Sequence, residues 1–284
     1  MQAFQRHHGL PDHGRCDEAT WLALVEASWR LGERSLRLMA PYQRGDDVAA
    51  LQTALGQLGF DSGRIDGIFG PDTARALTDF QRNCGLDADG VCGPFTVRAL
   101  EVNAARTGTG PGVAALRELA QLGAVARSLG ELRIVLGQFG GLGPLTRQVA
   151  RQLRHHGAQL VVTDQTDPSA QAAAANRHAA TVYVGFESRT DDVTRIAYYA
   201  TAGFESTGGR ALADHLGRAL DGSAVETAPA GAVGMRLPVL RETRMTAVVC
   251  SLGPVQRIVD AAPVVGDAVV AGLAAWTAAP VGAP

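Results

Sequence analysis

Two internal repeats constrain this chain more than any property of its composition. Phe4-Gln5-Arg6 with Gly9-Leu10 returns 76 residues later as Phe80-Gln81-Arg82 with Gly85-Leu86. The offset holds without a gap through Gly14/Gly90, Cys16/Cys92, Thr20/Thr96, Ala23/Ala99 and Leu24/Leu100. A shorter repeat, offset by 23, lies inside the second copy. There Asp66-Gly67-Ile68-Phe69-Gly70-Pro71 with Thr73, Arg75, Ala76 and Leu77 matches Asp89-Gly90-Val91-Cys92-Gly93-Pro94 with Thr96, Arg98, Ala99 and Leu100. Each unit reads as a turn feeding a helix. Asp-Gly supplies a tight turn with positive φ at the glycine, and Pro71 or Pro94 opens the helix near its first position. Ahead of Asp66, Val48, Leu51, Leu55 and Leu58 have helical spacing, with Asp46 or Asp47 expected as N-cap and Gly59-Phe60 as the stop. Residues 45–101 therefore read as three short helices, and residues 1–28 as the last part of a second such module.

The remainder alternates between the two periodicities. Thr107–Gly112 has the composition of a joint, and residues 113–129 read as a helix. Strands are expected at Leu132–Leu136, Gln159–Thr163, Thr181–Phe186, Thr194–Tyr199 and Thr246–Leu252. Between them come helices at Leu145–Leu153, at Ser169–Ala180 with Asp167 as N-cap and Pro168 at N1, and at Thr207–Leu220. A last helix, Val255–Trp276, is open to a break at Pro263. This order predicts a sheet covered by helices on both faces. The fold class is thus α + α/β, divided as a truncated module (1–40), a complete module (41–104), a linker and helix (105–130) and an α/β domain (131–284).

Composition narrows the chemistry. All 26 cations are arginine, which removes a Walker lysine, a Schiff-base lysine and a lysine general base. A net charge of −2 argues against nucleic acid as partner. No run of apolar residues is long enough for a membrane span, and the N-terminus has no apolar leader, so a cytoplasmic protein is expected. Cys16, Cys84, Cys92 and Cys250 contain no C-x-x-C and are expected as small buried hydrophobes. His7, His8, His13 and Cys16 invite a metal reading, but their repeat equivalents are Asn83, Cys84, Asp89 and Cys92, so these positions tolerate non-ligands. Gly137–Gly143 lacks the spacing of a dinucleotide loop, and Ser251 has no base that the sequence identifies.

The pattern Leu51-Gln52 to Gly59-Phe60, then Asp66 to Thr73, Phe80-Gln81 and Gly85 to Gly90, resembles the peptidoglycan-binding domain of bacterial cell-wall enzymes. The resemblance implies a peptidoglycan fragment or precursor as ligand, with Asp66, Gly67, Phe69, Gly70, Thr73, Phe80, Gln81, Asp89 and Gly90 as binding residues. The first copy departs from it, with His13-Gly14 in place of Asp-Gly.

The second half resembles the zinc-dependent N-acetylmuramoyl-L-alanine amidases. Its anchors are Gly140-Gly141 after the first strand, His156-Gly157 after a helix, Thr163-Asp164, Asn176, Val182–Gly185 and Leu240–Thr246 before the last strand. The overall arrangement is similar to the actinobacterial CwlM-type family. That family implies His, Glu and His on one zinc with a Glu as general base. Phe139, Leu142, Glu187 and Ser251 stand at the four places, so no catalytic set and no metal are expected. The resemblance implies a non-catalytic regulator of peptidoglycan precursor synthesis. Its protein partners would be the precursor enzyme that transfers enolpyruvate or the lipid-linked precursor flippase. The alternatives are a zinc amidase cleaving the lactyl–L-alanine amide, with zinc as cofactor, and a passive wall-binding module. In the related regulators phosphorylation of a C-terminal tail controls partner choice, and the Thr-rich tail has no counterpart in Val281–Pro284.

Overall fold

In a computed structural model, residues 1–8, 10–104, 112–125, 128–201, 204–223, 225 and 229–281 are described. Most of the expected joint, Thr107–Pro111, lies outside them. The chain divides into two compact units, Met1–Glu118 with Thr201–Phe204, and Leu119–Ala200 with Glu205–Pro284.

The first unit is helical: α1 (Gln2–His8), α2 (Glu18–Ser28), α3 (Asp46–Gln57), α4 (Pro71–Asn83) and α5 (Pro94–Ala104). As expected, α4 and α5 open on their prolines. Helix α3 ends where Gly59 takes φ +92° and the Phe60 amide folds back on the Leu55 carbonyl. The expected cap of α3 does not form. Gly45, which has no side chain to cap with, is its N-cap; Asp46 and Asp47 lie inside the first turn, and the Asp47 carboxylate, 1% exposed, is bonded by the Arg34 guanidinium at 2.7 Å. Leu36, Leu51, Leu55, Phe69, Leu77, Phe80 and Leu100 form the core of this unit.

Next comes α6 (Val113–Gly123), six residues shorter than expected because Ala124 and Val125 turn and a 3-10 turn follows at Leu129–Glu131. The second unit then runs β1 (Arg133–Gln138), α7 (Gly143–His155), β2 (Gln159–Thr163), α8 (Pro168–Arg177), β3 (Val182–Ser188) and β4 (Thr194–Thr201). It continues with β5 (Phe204–Glu205), α9 (Thr207–Asp221), β6 (Gly231–Met235), α10 (Pro238–Glu242), β7 (Thr246–Leu252), α11 (Val255–Asp260) and α12 (Ala262–Ala278). The predicted cap of α8 is present, Asp167 accepting from the Ser169 and Ala170 amides, but the helix stops at Arg177, ahead of Ala179 at φ +45°. The terminal helix does break, at Ala261. Strands β5 and β6 and helix α10 lie where the sequence pattern predicts no element.

The sheet order is β2-β1-β3-β7-β4-β5, with β6 also paired to β4. Strands β2, β1, β3 and β7 are parallel, and β4 is antiparallel to β7. One face buries Ile134, Leu136, Val184, Phe186, Val248 and Cys250 in a core with α7, α9 and α12. The alternate residues Val135, Tyr183, Val249 and Ala197 point to the other face and are buried too, as are Ala172 and Ala175 of α8 and Leu240 of α10. The α + α/β class therefore holds, with a mixed rather than a purely parallel sheet.

Candidate functional site

In the repeat module, one glutamine per unit ties turn to helix. Gln52 donates to the Asp66 carboxylate (2.8 Å), the Ile68 carbonyl and the Thr73 hydroxyl, and accepts from the Asp66 and Gly67 amides. Gln81 repeats this with Asp89 (2.8 Å), the Val91 carbonyl, Thr96 and the Gly90 amide. Gln5 does so with the Arg15 carbonyl, Thr20 and the Gly14 amide. All three glutamines are buried, so every polar atom they touch is satisfied from inside. The aspartates close the turn as well, each carboxylate accepting the amide two residues on. Those bonds hold the Asp89 carboxyl below the usual range, the Val91 amide first and Gln81 next.

The structure therefore brings the sequence-predicted residues together as a scaffold. Phe69, Thr73, Phe80 and Gln81 are buried and Gly67 lies under the Gly45 carbonyl, whereas Asp66, Gly70 and Gly90 are half-buried and Asp89 is exposed. The departure in the first copy does not open its turn. His13 Nδ1 accepts from the Arg15 amide, taking the part of the aspartate oxygen, and Gly14 keeps φ +77°. Cys92 is buried, with its thiol pushed up to about 12 by burial first and the Asp47 charge second. Cys16 and Cys84 are exposed, against expectation: Cys84 is the C-cap of α4, and Cys16 is left uncovered where its counterpart Cys92 is buried.

In the second unit, register places Phe139, Glu187 and Ser251, three of the four positions singled out in the sequence, in one row. Gln138, Phe186 and Cys250 are aligned across β1, β3 and β7, so the next residues, Phe139, Glu187 and Ser251, follow side by side at the carboxyl ends of the strands. Such ends are where open α/β sheets carry ligands. Here Ser251, 3% exposed, donates its hydroxyl to Glu187 Oε2 at 2.5 Å. The sequence identifies no base for Ser251; the fold supplies this carboxylate from 64 residues away. Phe139 lies against Gly185, and its amide is held by the Phe186 carbonyl at 2.9 Å. Leu142 is fully buried as the N-cap residue of α7.

The row has a fourth member that sequence reasoning missed. Arg195 of β4 is the antiparallel partner of Ser251. It helps the Arg189 hydrogen bond, the larger cause, to hold the Asp191 carboxyl low. Below the row, the buried Tyr183 hydroxyl donates to Gln171 Oε1 (2.6 Å), and Gln171 Nε2 binds the Gln138 and Gln165 carbonyls. Burial pushes the Tyr183 phenol up, out of reach of ionisation. Gly137 is what admits this pair, since a Cβ there would stand 2.0 Å from Gln171 Oε1.

These donors do not fit a zinc ion. Two of the four positions carry hydrocarbon, and the one carboxylate is engaged by Ser251. Among the described residues no three His, Cys, Asp or Glu side chains come together, His7, His8, His13 and Cys16 included. Nor is any helix of the described residues long and apolar enough to cross a membrane.

Comparison with known proteins finds matches to parts of the chain. Residues 44–100 match the family described as "Putative peptidoglycan binding domain". The chain is 50% identical over 112 residues to the N-acetylmuramoyl-L-alanine amidase CwlM of Mycobacterium tuberculosis, which covers 39% of this chain and 27% of that protein. It is 48% identical over 52 residues to a spore cortex-lytic enzyme of Oceanobacillus iheyensis, 18% of this chain and 19% of that one. The chain thus spans about a quarter or less of the length of these relatives. Among solved structures, it is similar to the N-acetylmuramoyl-L-alanine amidase AmiC2 of Nostoc punctiforme, with TM-score 0.42, 20% identity and coverage of 51% of this chain and 96% of that one. An amidase from Clostridium difficile gives TM-score 0.45 and 16% identity over 52% of this chain and 98% of that one.

Proposed function

We propose that the chain is a non-catalytic, amidase-like protein that binds a peptidoglycan fragment or precursor through residues 44–100. In this reading it regulates precursor synthesis in the cytoplasm through protein contacts. The observation that carries the reading is the Phe139–Glu187–Ser251 row. A hydrolytic zinc site needs three ligands, an open position and a base. The row offers hydrocarbon and a carboxylate already committed to a neighbouring hydroxyl. The family match of residues 44–100 supports the ligand class, and the buried scaffold role of Phe80 and Gln81 directs contact to the exposed rims of the turns, Asp89 and the half-buried Asp66, Gly70 and Gly90. The precursor enzyme that transfers enolpyruvate and the lipid-linked precursor flippase are the partners to test first.

The test is threefold on one preparation: zinc content by elemental analysis, cleavage of a muropeptide with added zinc, and titration with the purified precursor enzyme. The expected result is sub-stoichiometric zinc, no cleavage, and saturable binding or altered activity of that enzyme. Stoichiometric zinc with chelator-sensitive cleavage would overturn the reading. An outcome with neither cleavage nor any binding to or effect on the precursor enzyme would reduce it to a passive module.

A further inference from the structure

The outer face of α7 carries more positive charge than its helix dipole accounts for. Arg147, Arg151, Arg154 and His155 are exposed, His156 follows at its C-cap, and the helix contains no acidic residue. A helix C-terminus favours cations, but only within its last turn. That covers Arg154 and the histidines and leaves Arg147 and Arg151 unexplained. In a chain of net charge −2, this is a local excess of one sign.

Beside it lies a groove of about 700 Å³ between α7 and α12. The two helices meet closely at Gly266, where a Cβ would come within 2.8 Å of Gln148. Further on, the small side chains of Ala271 and Ala274 leave a floor completed by Leu129 and Val270. Arg151, His155 and His156 stand along one rim. The lining also holds one carboxylate, Asp267, which accepts from the uncharged Gln152 Nε2 and keeps its charge. The excess of positive charge therefore comes from Arg147 and Arg154 on the same helix together with Arg151. Gln152 Oε1 is buried with no hydrogen-bond partner. Arg151 is bonded to the uncharged Gln148, so its charge is not neutralised there.

From this we infer that the α7–α12 groove docks an acidic amphipathic helix of a protein partner. The apolar floor takes residues spaced i, i+3, i+4 and i+7, and the arginine rim takes carboxylates on the flank. Charge complementarity selects the acidic partner, and the apolar floor separates a peptide helix from a polyanion such as nucleic acid, which has no apolar stripe to bury. The inference deepens the protein-contact part of the proposed function by giving that contact a surface. It does not depend on the repeat module holding a ligand.

The test uses the full chain and a labelled peptide of about 18 residues, five helical turns, with Leu on one stripe and Glu elsewhere. Controls are a scrambled peptide of the same composition, anionic phospholipid vesicles and duplex DNA. Expected is binding at least about tenfold tighter than the scramble and weakened by raised salt. It should fall about tenfold or more in both Ala271→Glu and Arg151→Glu. Both positions are exposed, and an unchanged melting temperature confirms that the fold persists. Equal affinity for the scramble, or no effect of Ala271→Glu, would overturn the docking site. Tighter binding of DNA or vesicles that is lost in Arg151→Glu would replace it with a polyanion surface. Failure here leaves the titration with the precursor enzyme intact, so the two readings fail separately.

Discussion

The two copies of the repeat motif share three of the glutamine's hydrogen bonds, to a turn amide, a turn carbonyl and a threonine, and differ in what surrounds them. Phe80 and Leu100 of the second copy are each 1% exposed, whereas their counterparts Phe4 and Leu24 are half-buried. Yet Gln5 is as buried as Gln81, and it holds the same turn amide and the same threonine. The turn-to-helix clamp is therefore a local device, complete within some twenty residues. The apolar core is not: Phe80 is covered by Phe60, ring to ring at 5.6 Å, and by the α3 leucines of its own cluster. The motif specifies a turn by itself, and a domain only with a helix to pack on.

The sharpest way to break this comparison is to truncate the paired phenylalanines. Phe80→Ala should destabilise the first unit by about 3–5 kcal/mol, the range for deleting a buried aromatic ring. Phe4→Ala removes a half-covered ring and should cost less than half as much. Denaturant melts of both variants check it; equal losses would mean that the first copy has a core as closed as the second.

Next come the clamps. Gln81→Leu keeps the volume but leaves the Gly90 amide and the Thr96 hydroxyl short of a partner, a loss of about 1–3 kcal/mol. Gln5→Leu should cost a similar amount, because it too leaves a turn amide and a threonine short of a partner. Hydrogen exchange at Gly14 and Gly90 reports each clamp directly. A loss at Gly90 alone would show that the first clamp draws its strength from elsewhere.

Much of the repeat unit was legible because turn chemistry is local. Asp-Gly, the following proline and the apolar stripe name their own conformations, and α4 and α5 begin on the prolines. The N-cap of α3 is not legible locally, since Asp46 and Asp47 fall inside the helix and Arg34, 13 residues away, takes the Asp47 carboxylate. In the second unit, strands with β-branched runs were visible, but Gly231–Met235 has a single valine, and only pairing with β4 makes it a strand. The same logic hid part of the candidate site. Phe139, Glu187 and Ser251 stand out only through the resemblance to the amidases, whereas Arg195 reaches the row through antiparallel register. The Glu187–Ser251 bond likewise depends on β7 lying beside β3, which no local pattern announces.

Glycine substitutions give a finer comparison. Gly67 has φ +70°, and a Cβ there would stand 3.0 Å from the Gly45 carbonyl oxygen, part of the backbone. Gly14 has φ +77°, but its Cβ would meet the flexible Gln2 side chain at 3.3 Å. Both alanine variants lose about 1 kcal/mol from the left-handed backbone, and Gly67→Ala should lose more because a carbonyl cannot move aside. Equal melting temperatures for the two would show that the Gly45 segment yields.

The smallest expected effect separates the helix starts. Helix α2 begins on Asp17, whose carboxylate accepts the Thr20 amide at 2.8 Å, whereas α4 begins on Gly70 with no side-chain cap. The Thr20 hydroxyl and amide, with His13 behind them, hold the Asp17 carboxyl below its ordinary value of 3.8. A carboxyl that is more acidic in the folded than in the unfolded chain contributes stability above its unfolded value, and that contribution is lost as pH falls through the folded one. The Thr20 amide should therefore shift in NMR spectra with a midpoint below 3.8, while Thr73, bonded through the uncharged Gln52, lacks that cap titration. Asp17→Asn should abolish the titration and keep the helix, since asparagine also caps. A Thr20 midpoint at or above 3.8 would mean that the carboxylate is not held, and that the first copy starts its helix no differently from the second.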